Sequence, residues 1–554
     1  MCMAADTMHA AEYHERTKHH LHGFAAGPGG LDWATQPEAF RDYGDCPQIA
    51  LPLADQAPAI PFAALAGGVN PAAMPLSIDA LGIFLSCSLA ISAWKRYGPS
   101  RWALRCNPSS GNLHPTEAYL VMPDIPGIPA GLYHYRPQDH RLEQRRSDST
   151  EMSQTLCNDT PAGSLLLGLS SIPWREAWKY GERAWRYCLL DLGHALAALR
   201  YAARLCGWQV RVLEQWTDQD VACLLGLDRA DEFIPEEPEY PELLCLVTPT
   251  ERSASIPIGC LAGCPSGLSA ALAERPWSGK ANRLSAHHSH HWPLIDEAIR
   301  ATEQVSTRPG DGVANAQPAP LPFRCADSAV TIIQRRRSAQ AFDGVTPLSR
   351  EDFFSILDHC VPRPSVPPWS GRPAPAQVHL ILFVHRVEGL ASGLYALPRD
   401  LAAAPRLRSA MSDNFLWEAV TDAPEHLPLM CLLHADTRQL AARCACHQDI
   451  AADSAFCVAM LGDFEQGLAT DSRGYRRLMV EAGLIGQTLY LGAEAYDRQG
   501  TGIGCFFDDA LHELLGLRDR GFQVLYQFTL GKALVDTRIA TEPPYPGVHQ
   551  PTGA

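Results

Sequence analysis

Much of this chain occurs twice, and that repetition limits it to folds built from two like units. Pro75–Leu85 (PLSIDALGIFL) pairs with Pro347–Leu357 (PLSREDFFSIL), 272 residues further on. Gly127–Tyr133 (GIPAGLY) pairs with Gly389–Tyr395 (GLASGLY) at an offset of 262. Arg186–Gly193 (RYCLLDLG) pairs with Arg476–Gly483 (RRLMVEAG), and LLGL recurs at 224–227 and 514–517, both at 290. The order is kept while the spacing drifts, as expected of a duplication with insertions in its loops. A chain of 554 residues also exceeds what one core organises. The expected division is an N-terminal extension (1–57), a first unit (58–255), a Pro/Gly/His-rich connector (256–325), a second unit (326–545) and a tail (546–554). Within the connector, Thr307–Pro322 (TRPGDGVANAQPAPLP) has the composition of a linker.

Each half has the same plan. Ser77 and Ser349 precede helix-like runs as N-caps, Ser349 with Asp352 three residues on. A strand follows (AYLVM in one half, VHLILFV in the other), then Gly-Leu-Tyr opens a second. A long helix comes later, YCLLDLGHALAALRYAARL and LMVEAGLIGQTLYLGAEAY. Small residues mixed through these apolar runs predict buried helices packed closely on others. The pattern predicts helices predominating over a small sheet, an α+β architecture.

The formal net charge of −15 argues against nucleic acid or an anionic membrane as partner. The opening MCMAADTMHAAEYHERTKHH turns polar too soon for a signal sequence, and Ala80–Trp94, the most apolar stretch, is too short to span a bilayer. Eighteen cysteines without regular spacing read as reduced thiols. A soluble, cytoplasmic protein is expected. Neither Ala286–Trp292 (AHHSHHW) nor Cys444–His447 (CACH) has the spacing of a closed zinc site, so no metal site is expected.

Four short motifs could carry chemistry, and each also has a plain structural reading. The arginines of Gln334–Gly344 (QRRRSAQAFDG) suit an oxyanion, because guanidinium forks bind one bidentately; they equally suit a solvated basic face. Gly500–Asp509 (GTGIGCFFDD) permits close backbone approach to a ligand or forms a plain helix-to-strand turn. Pro108–Asn112 (PSSGN) offers hydroxyls and an amide at a helix-to-strand turn, which can also satisfy only each other. Lys179 beside Tyr180 can exchange protons if burial tunes the pair; otherwise it is packing. Asp191, Glu481 and His194 read as internally hydrogen-bonded.

In combination, Arg-Arg-Ser, Pro-Ser-Ser-x-Asn before a strand, and a long helix followed by a Gly-rich turn resemble the FMN-dependent nitroreductase superfamily. The segments RWALRCNPSSGNLHPTEAYLV, GLYHYRPQDHRL and KYGERAWRYCLLDLGHA, with the opening YHERTKHHLHG…LDWATQP, look like its SagB-type branch, which includes azoline-oxidising dehydrogenases. The resemblance implies two tandem units, each a central antiparallel or mixed sheet flanked by helices, forming an intramolecular pseudo-dimer. It implies one FMN between the halves, held by Pro108, Ser109, Ser110 and Asn112 from the first and by Arg336, Arg337, Ser338, Gly504 and Cys505 from the second. Arg538 matches a late basic residue that binds the FMN phosphate, and Lys179–Tyr180 matches a catalytic pair. Cys505 is expected to contribute backbone only. The implied reaction is hydride transfer through flavin N5 in a ping-pong cycle, with a small-molecule or peptide substrate and NAD(P)H as a transient electron donor. The mirror-image site lacks its parts: Ala63–Ala66 and Glu214–Trp216 stand where arginines and glycines would be, and Pro364–Gln377 lacks the Pro-Ser-Ser-x-Asn pattern. The alternative is a flavin-binding or flavin-free scaffold partner in a peptide-modifying complex.

Overall fold

A computed structural model of the chain describes residues 10–148, 160–250, 263–264, 268, 272, 275–305, 317–371 and 375–546. The first half runs β1 (Gln48–Ala50), α1 (Ile78–Ser86), β2 (Ile91–Tyr97), β3 (Ser100–Arg105), β4 (Thr116–Met122), β5 (Gly131–Arg136), β6 (Arg141–Ser147), β7 (Leu165–Ser171), α2 (Pro173–Tyr180), α3 (Ala184–Leu205), β8 (Trp208–Val212), α4 (Asp218–Leu225) and β9 (Tyr240–Pro249). The second runs α5 (Ala329–Arg335), α6 (Arg350–His359), β10 (Val378–Val384), β11 (Gly393–Leu397), β12 (Glu418–Ala419), β13 (Met430–His434), β14 (Phe456–Asp463), α7 (Gly474–Glu494), β15 (Gln499–Ile503), α8 (Asp508–Leu515), β16 (Phe522–Gly531) and β17 (Ala540–Glu542). Ser77 caps α1 by accepting the Ala80 N–H, and Ser349 caps α6 by accepting the Asp352 N–H, so the caps read from sequence are present.

The halves share one topology. Six strands lie in the order β6-β5-β4-β7-β9-β8 in the first half and β13-β11-β10-β14-β16-β15 in the second. By rank along the chain both orders are 3-2-1-4-6-5. A seventh strand completes each sheet from a different place: β1 precedes its six, whereas β12 lies within the second set. The ladders are all antiparallel. Two seven-stranded sheets correct the expectation of a small sheet. Both faces of the central strands are buried, so they show as short apolar runs without the alternation that marks a half-buried strand. In β4, Ala118, Leu120 and Met122 face a core shared by both halves, while Tyr119 and Val121 face an outer core of the first half alone. In β10, Leu380 and Leu382 face the shared core, and Ile381 and Phe383 an outer core of the second half.

The long helices α3 and α7 cross within the shared core, and α3 is buried along all 22 of its residues. They meet at Gly193 and Gly483, the pair related by the 290-residue repeat. A Cβ on Gly193 would lie 2.3 Å from the Val480 carbonyl oxygen and 2.7 Å from Gly483 Cα; one on Gly483 would lie 2.2 Å from the Leu190 oxygen and 2.7 Å from Gly193 Cα. Each helix thus presents the same patch to the other, as a two-fold interface requires. The same offset relates two buried ion-pair clusters. Asp508 at the start of α8 pairs with Arg183 at 3.0 Å and Arg186 at 2.8 Å. Asp218 at the start of α4 pairs with Arg473, and with Arg476 at 3.0 Å. Each cluster joins one half to the other.

Three segments lie outside the repeated six-strand plan. β1, within the N-terminal extension, pairs with β6 and belongs to the first sheet. β17 leaves the second half and pairs with β2, making a three-stranded sheet with β3. The connector is structured in part, with a helix over Pro293–Ala301 whose Ile295, Ala298 and Ile299 are buried. Residues 306–316 of its linker-like stretch lie outside the described residues.

Candidate functional site

The feature that builds the site is the turn between β3 and β4, which follows a strand and not, as the sequence suggested, a helix. Gly111 and Asn112 adopt φ of +58° and +59°, a left-handed pair that Gly and Asn tolerate best. Ser109 Oγ accepts the His114 N–H at 2.8 Å, and Asn112 Nδ2 donates to the Ala103 carbonyl at 2.8 Å. Ser110 donates to Asp191 from its N–H at 3.0 Å and from its hydroxyl at 3.0 Å. A Cβ on Gly111 would lie 2.6 Å from the Tyr180 hydroxyl and 3.2 Å from Lys179 Nζ. The Lys-Tyr pair at the end of α2 therefore closes over this turn.

The second half supplies the opposite wall. α5 ends at Arg335, and the extended chain beyond it sends Arg336 into the first half, where Nε donates to the Cys106 carbonyl at 3.2 Å and Nη2 to the Arg105 carbonyl at 2.9 Å. Arg336 Nη1 is buried without a hydrogen-bond partner. Arg337 Nη1 donates to Ser92 Oγ at 3.1 Å, and Ser338 Oγ meets the Tyr490 hydroxyl at 2.8 Å. Gly500–Ile503 is part of strand β15, so the Gly-rich motif is an edge strand running out into a loop and not a turn. A Cβ on Gly504 would lie 2.2 Å from Tyr187 Cε1; only glycine lets the backbone pass that ring.

These walls enclose a cavity of about 480 Å³. Pro108, Ser109, Ser110, Asn112 and Tyr180 line it from the first half, and Arg336, Arg337, Ser338, Gly504 and Cys505 from the second. Lys179 reaches the same turn from behind, its Nζ 5.1 Å from the Tyr180 ring centroid. Arg538 does not enter. Its guanidinium is turned onto the Asp536 carboxylate at 2.9 and 2.7 Å, and its side chain is 73% exposed. The late basic residue inferred from sequence is thus held at the surface by a neighbour two positions away. Lys95 on β2 occupies the wall instead, donating to Thr541 Oγ1 at 2.8 Å.

Lys95, Tyr187, Asp191, His194, Tyr490 and Tyr526 also line the cavity and were not read from sequence as wall residues. Helical spacing marks Tyr187, Asp191 and His194 as one face of α3, a signal visible only once that face is known to meet the turn. Burial first, then the Arg336 charge, pushes Arg337 down to about 10. Burial first, then Arg337, lowers Lys95. Buried cations gathered in one recess favour an anion there. Burial also raises the Asp191 carboxyl to about 7 against its bonds from Ser109 and Ser110. His194 is brought to about 3, chiefly by burial, and its ring nitrogens meet Gln487 at 3.3 Å and Tyr526 at 3.2 Å. Asp191, Glu481 and His194 are all internally bonded as expected; Glu481 accepts the Gln377 N–H at 3.2 Å.

The mirror-image position is filled. Arg200, which the 290 offset relates to Tyr490, donates to the Pro368 carbonyl at 2.9 Å. Trp369 beside it is 1% exposed, and a Cβ on Gly371 would lie 2.9 Å from the Val210 oxygen of β8. An antiparallel bridge between Pro61 and Ser328 relates the two segments at 267, which puts Val69 and Asn70, also uncharged, opposite Arg336 and Arg337. Among the described residues, no group of three or more His, Cys, Asp or Glu is placed to hold a metal, and no helix is long and apolar enough to cross a membrane.

Residues 333–532 match the model of the Nitroreductase family. Trifolitoxin-processing protein TfxB of Rhizobium leguminosarum bv. trifolii is 31% identical over 182 residues, 30% of this chain and 48% of that protein. The chain thus spans about half the length of this curated relative. A crystal structure assigned as a nitroreductase from Anabaena variabilis ATCC 29413 shares the fold, with a TM-score of 0.70 at 22% identity over 95% of this chain and 99% of that one. Residues 333–532 thus resemble the Nitroreductase family in sequence, and the chain has a nitroreductase-like fold along nearly its whole length.

Proposed function

We propose that the chain is an FMN-dependent oxidoreductase with one composite flavin site, formed between its halves, and that it acts on a peptide. The observation that carries this reading is the meeting of Pro108–Asn112 with Arg336–Ser338 and Gly504–Cys505 around one cavity. Its volume of about 480 Å³ falls among small-molecule sites of about 300–1,000 Å³. The unpartnered Arg336 Nη1 and the cations Arg337 and Lys95, each lowered by burial and then by a neighbouring arginine, fit a ligand that carries a phosphate. Bound FMN would supply two-electron hydride chemistry at N5 in a ping-pong cycle.

The chain's own groups would bind and orient. Arg336, Arg337 and Lys95 would hold the anionic parts, the Ser109 and Ser110 turn would fix one edge, and the Gly504–Cys505 backbone the other. Burial holds the Tyr180 phenol well above its ordinary value, so it keeps its proton and faces the cavity as a donor to the substrate, with Lys179, set behind the turn, as the cation beside its ring. The filled mirror position supports one flavin per chain. A peptide substrate is favoured because the curated relative is named as processing trifolitoxin. Azoline dehydrogenation within a peptide, in the manner of the SagB-type branch, is the reaction to test first.

Purified protein should be yellow, hold about one FMN per chain, bleach with NAD(P)H or dithionite and recover with an acceptor. A colourless chain that takes up no FMN would overturn the reading and favour a scaffold role. Turnover of azoline peptides set beside that of nitro compounds and quinones separates the substrate classes.

A further inference from the structure

Cys505 lines the cavity beside Gly504, and a second thiol, that of Cys446, faces it. Cys505 Sγ lies 3.0 Å from Cys446 Sγ, although 59 residues separate them in sequence. The contact is held from several directions. Gln448 Nε2 donates to the Cys505 carbonyl at 3.1 Å and to the Ala445 carbonyl at 2.8 Å, and the Phe507 N–H donates to the Cys444 carbonyl at 2.8 Å. Cys446 and His447 both adopt left-handed φ, +53° and +60°, a conformation uncommon outside glycine and frequent at functional sites. Neither thiol is fully buried, so small reagents can reach them.

The surroundings favour a thiolate at Cys505. His19 Nδ1 accepts the Ala25 N–H at 3.0 Å, which leaves the ring proton on Nε2 to face the Cys505 sulfur. Arg183 donates to the Gly504 carbonyl at 3.1 Å, and Asp508, three residues on, is paired with Arg183 and Arg186. The Cys446 thiol, and after it His19, bring Cys505 down to about 5 against burial, while the shared proton raises Cys446.

We propose that Cys446 and Cys505 form a two-electron dithiol/disulfide couple at the cavity, reached through Cys505 and oxidised by hydroperoxides. The Cys505 thiolate attacks the peroxide O–O bond; the distal oxygen is transferred to sulfur as a sulfenic acid, and the other oxygen leaves as an alcohol or water after taking a proton. Cys446 then attacks the Cys505 sulfur, the S–O bond breaks, and water departs with the Cys446 proton as the S–S bond forms. Two thiols lose two electrons and the peroxide gains them. A low-molecular-weight dithiol restores the pair by exchange.

The test needs neither bound flavin nor turnover, so its failure is distinguishable from failure of the proposed function. The full chain is treated with one equivalent of hydrogen peroxide, blocked with iodoacetamide and mapped without reduction. A linked Cys446–Cys505 peptide, lighter by two hydrogens and lost on dithiothreitol treatment, is expected. In Cys446→Ser the same treatment should leave Cys505 as a sulfenic acid trapped by dimedone. In the untreated wild type, iodoacetamide should label Cys505 at least about tenfold faster than Cys446 at pH 7. Equal labelling of both cysteines before and after peroxide, with no linked peptide, would overturn the proposal, and this reading comes from the wild type alone.

Discussion

Replacing Gly193 with alanine should drive the two halves apart where α3 crosses α7. The new Cβ would lie 2.3 Å from the Val480 carbonyl oxygen and 2.7 Å from Gly483 Cα. Both are backbone atoms, so no side chain can rotate away. Restoring an ordinary contact of 3.4 Å from 2.3 Å requires α3 and α7 to separate by about 1 Å, in an interior packed as densely as a crystal. Such overpacking costs about 1–3 kcal/mol after relaxation, against which alanine returns up to about 1 kcal/mol of helix propensity. Gly483→Ala should cost nearly the same, because its Cβ meets the Leu190 oxygen at 2.2 Å. The double variant should cost less than the sum, since one displacement relieves both clashes; coupling between touching residues runs at about 0.5–3 kcal/mol. Gly492→Ala, on α7 but with its nearest neighbour, Ile356 Cγ1, at 3.4 Å, is the control and should be neutral or slightly stabilising. Urea midpoints from tryptophan fluorescence, checked against circular dichroism, compare the four proteins. Flavin retention should fall in parallel, because Tyr187, Asp191 and Tyr490 reach the cavity from these two helices. A Gly193→Ala midpoint matching that of Gly492→Ala, or strict additivity in the double variant, would refute the two-fold crossing.

Arg336→Ala should lose flavin on gel filtration, whereas Arg538→Ala, whose side chain pairs with Asp536 at the surface, should keep it; absorbance at the flavin band decides. Lys179→Met and Tyr180→Phe should retain flavin and lower peptide turnover by about 10²–10⁴-fold, whereas unchanged turnover would reduce the pair to packing. Burial raises the native Asp191 carboxyl to about 7, while the unfolded chain ionises it near 3.9. Between those values the native state holds a proton that the unfolded state has lost, so this group's contribution is greatest below about pH 4, falls as pH rises and levels off above about 7. Unfolding from pH 4 to 8 should therefore show Asp191→Asn gaining on the wild type across that window; parallel curves would contradict the assignment.

The parts of the molecule visible in sequence are those whose signal is local and repeated. Serine caps at Ser77 and Ser349 and the paired long helices need only their own neighbours to be recognised. Gly193 and Gly483 align in sequence because they meet in space. The sheets were underestimated because β12 has two residues, β15 is rich in glycine, and β1 reads as part of an extension until β6 is beside it. At the site, motifs with special backbone needs, Gly111–Asn112 and Gly504, were recognisable. Lys95 was not, because a lysine on an edge hairpin resembles any solvated lysine until β17 lies against it. For Arg538, residue type and position suit an anion, whereas the structure turns its guanidinium onto Asp536 two residues away, a local pairing that its position alone does not reveal. Cys446 had no signal of its own beyond CACH, whose meaning depends on a partner across the fold.

The pairing of β17 with β2 has a consequence for how the protein comes into being. Lys95 and Trp102 lie on the β2–β3 hairpin, yet the wall they share with Leu534, Val535 and Thr541 is supplied by residues about 440 positions later. The first half can gather its strands early in synthesis, as domains generally do, but its β2–β3 hairpin keeps an open edge until about 440 further residues have been made. At the roughly 5–20 residues per second of translation, that edge waits on the order of half a minute or more. The nascent chain therefore carries an unfinished cleft through that interval, and truncation before β17 removes a wall of the site while leaving both seven-stranded sheets their strands.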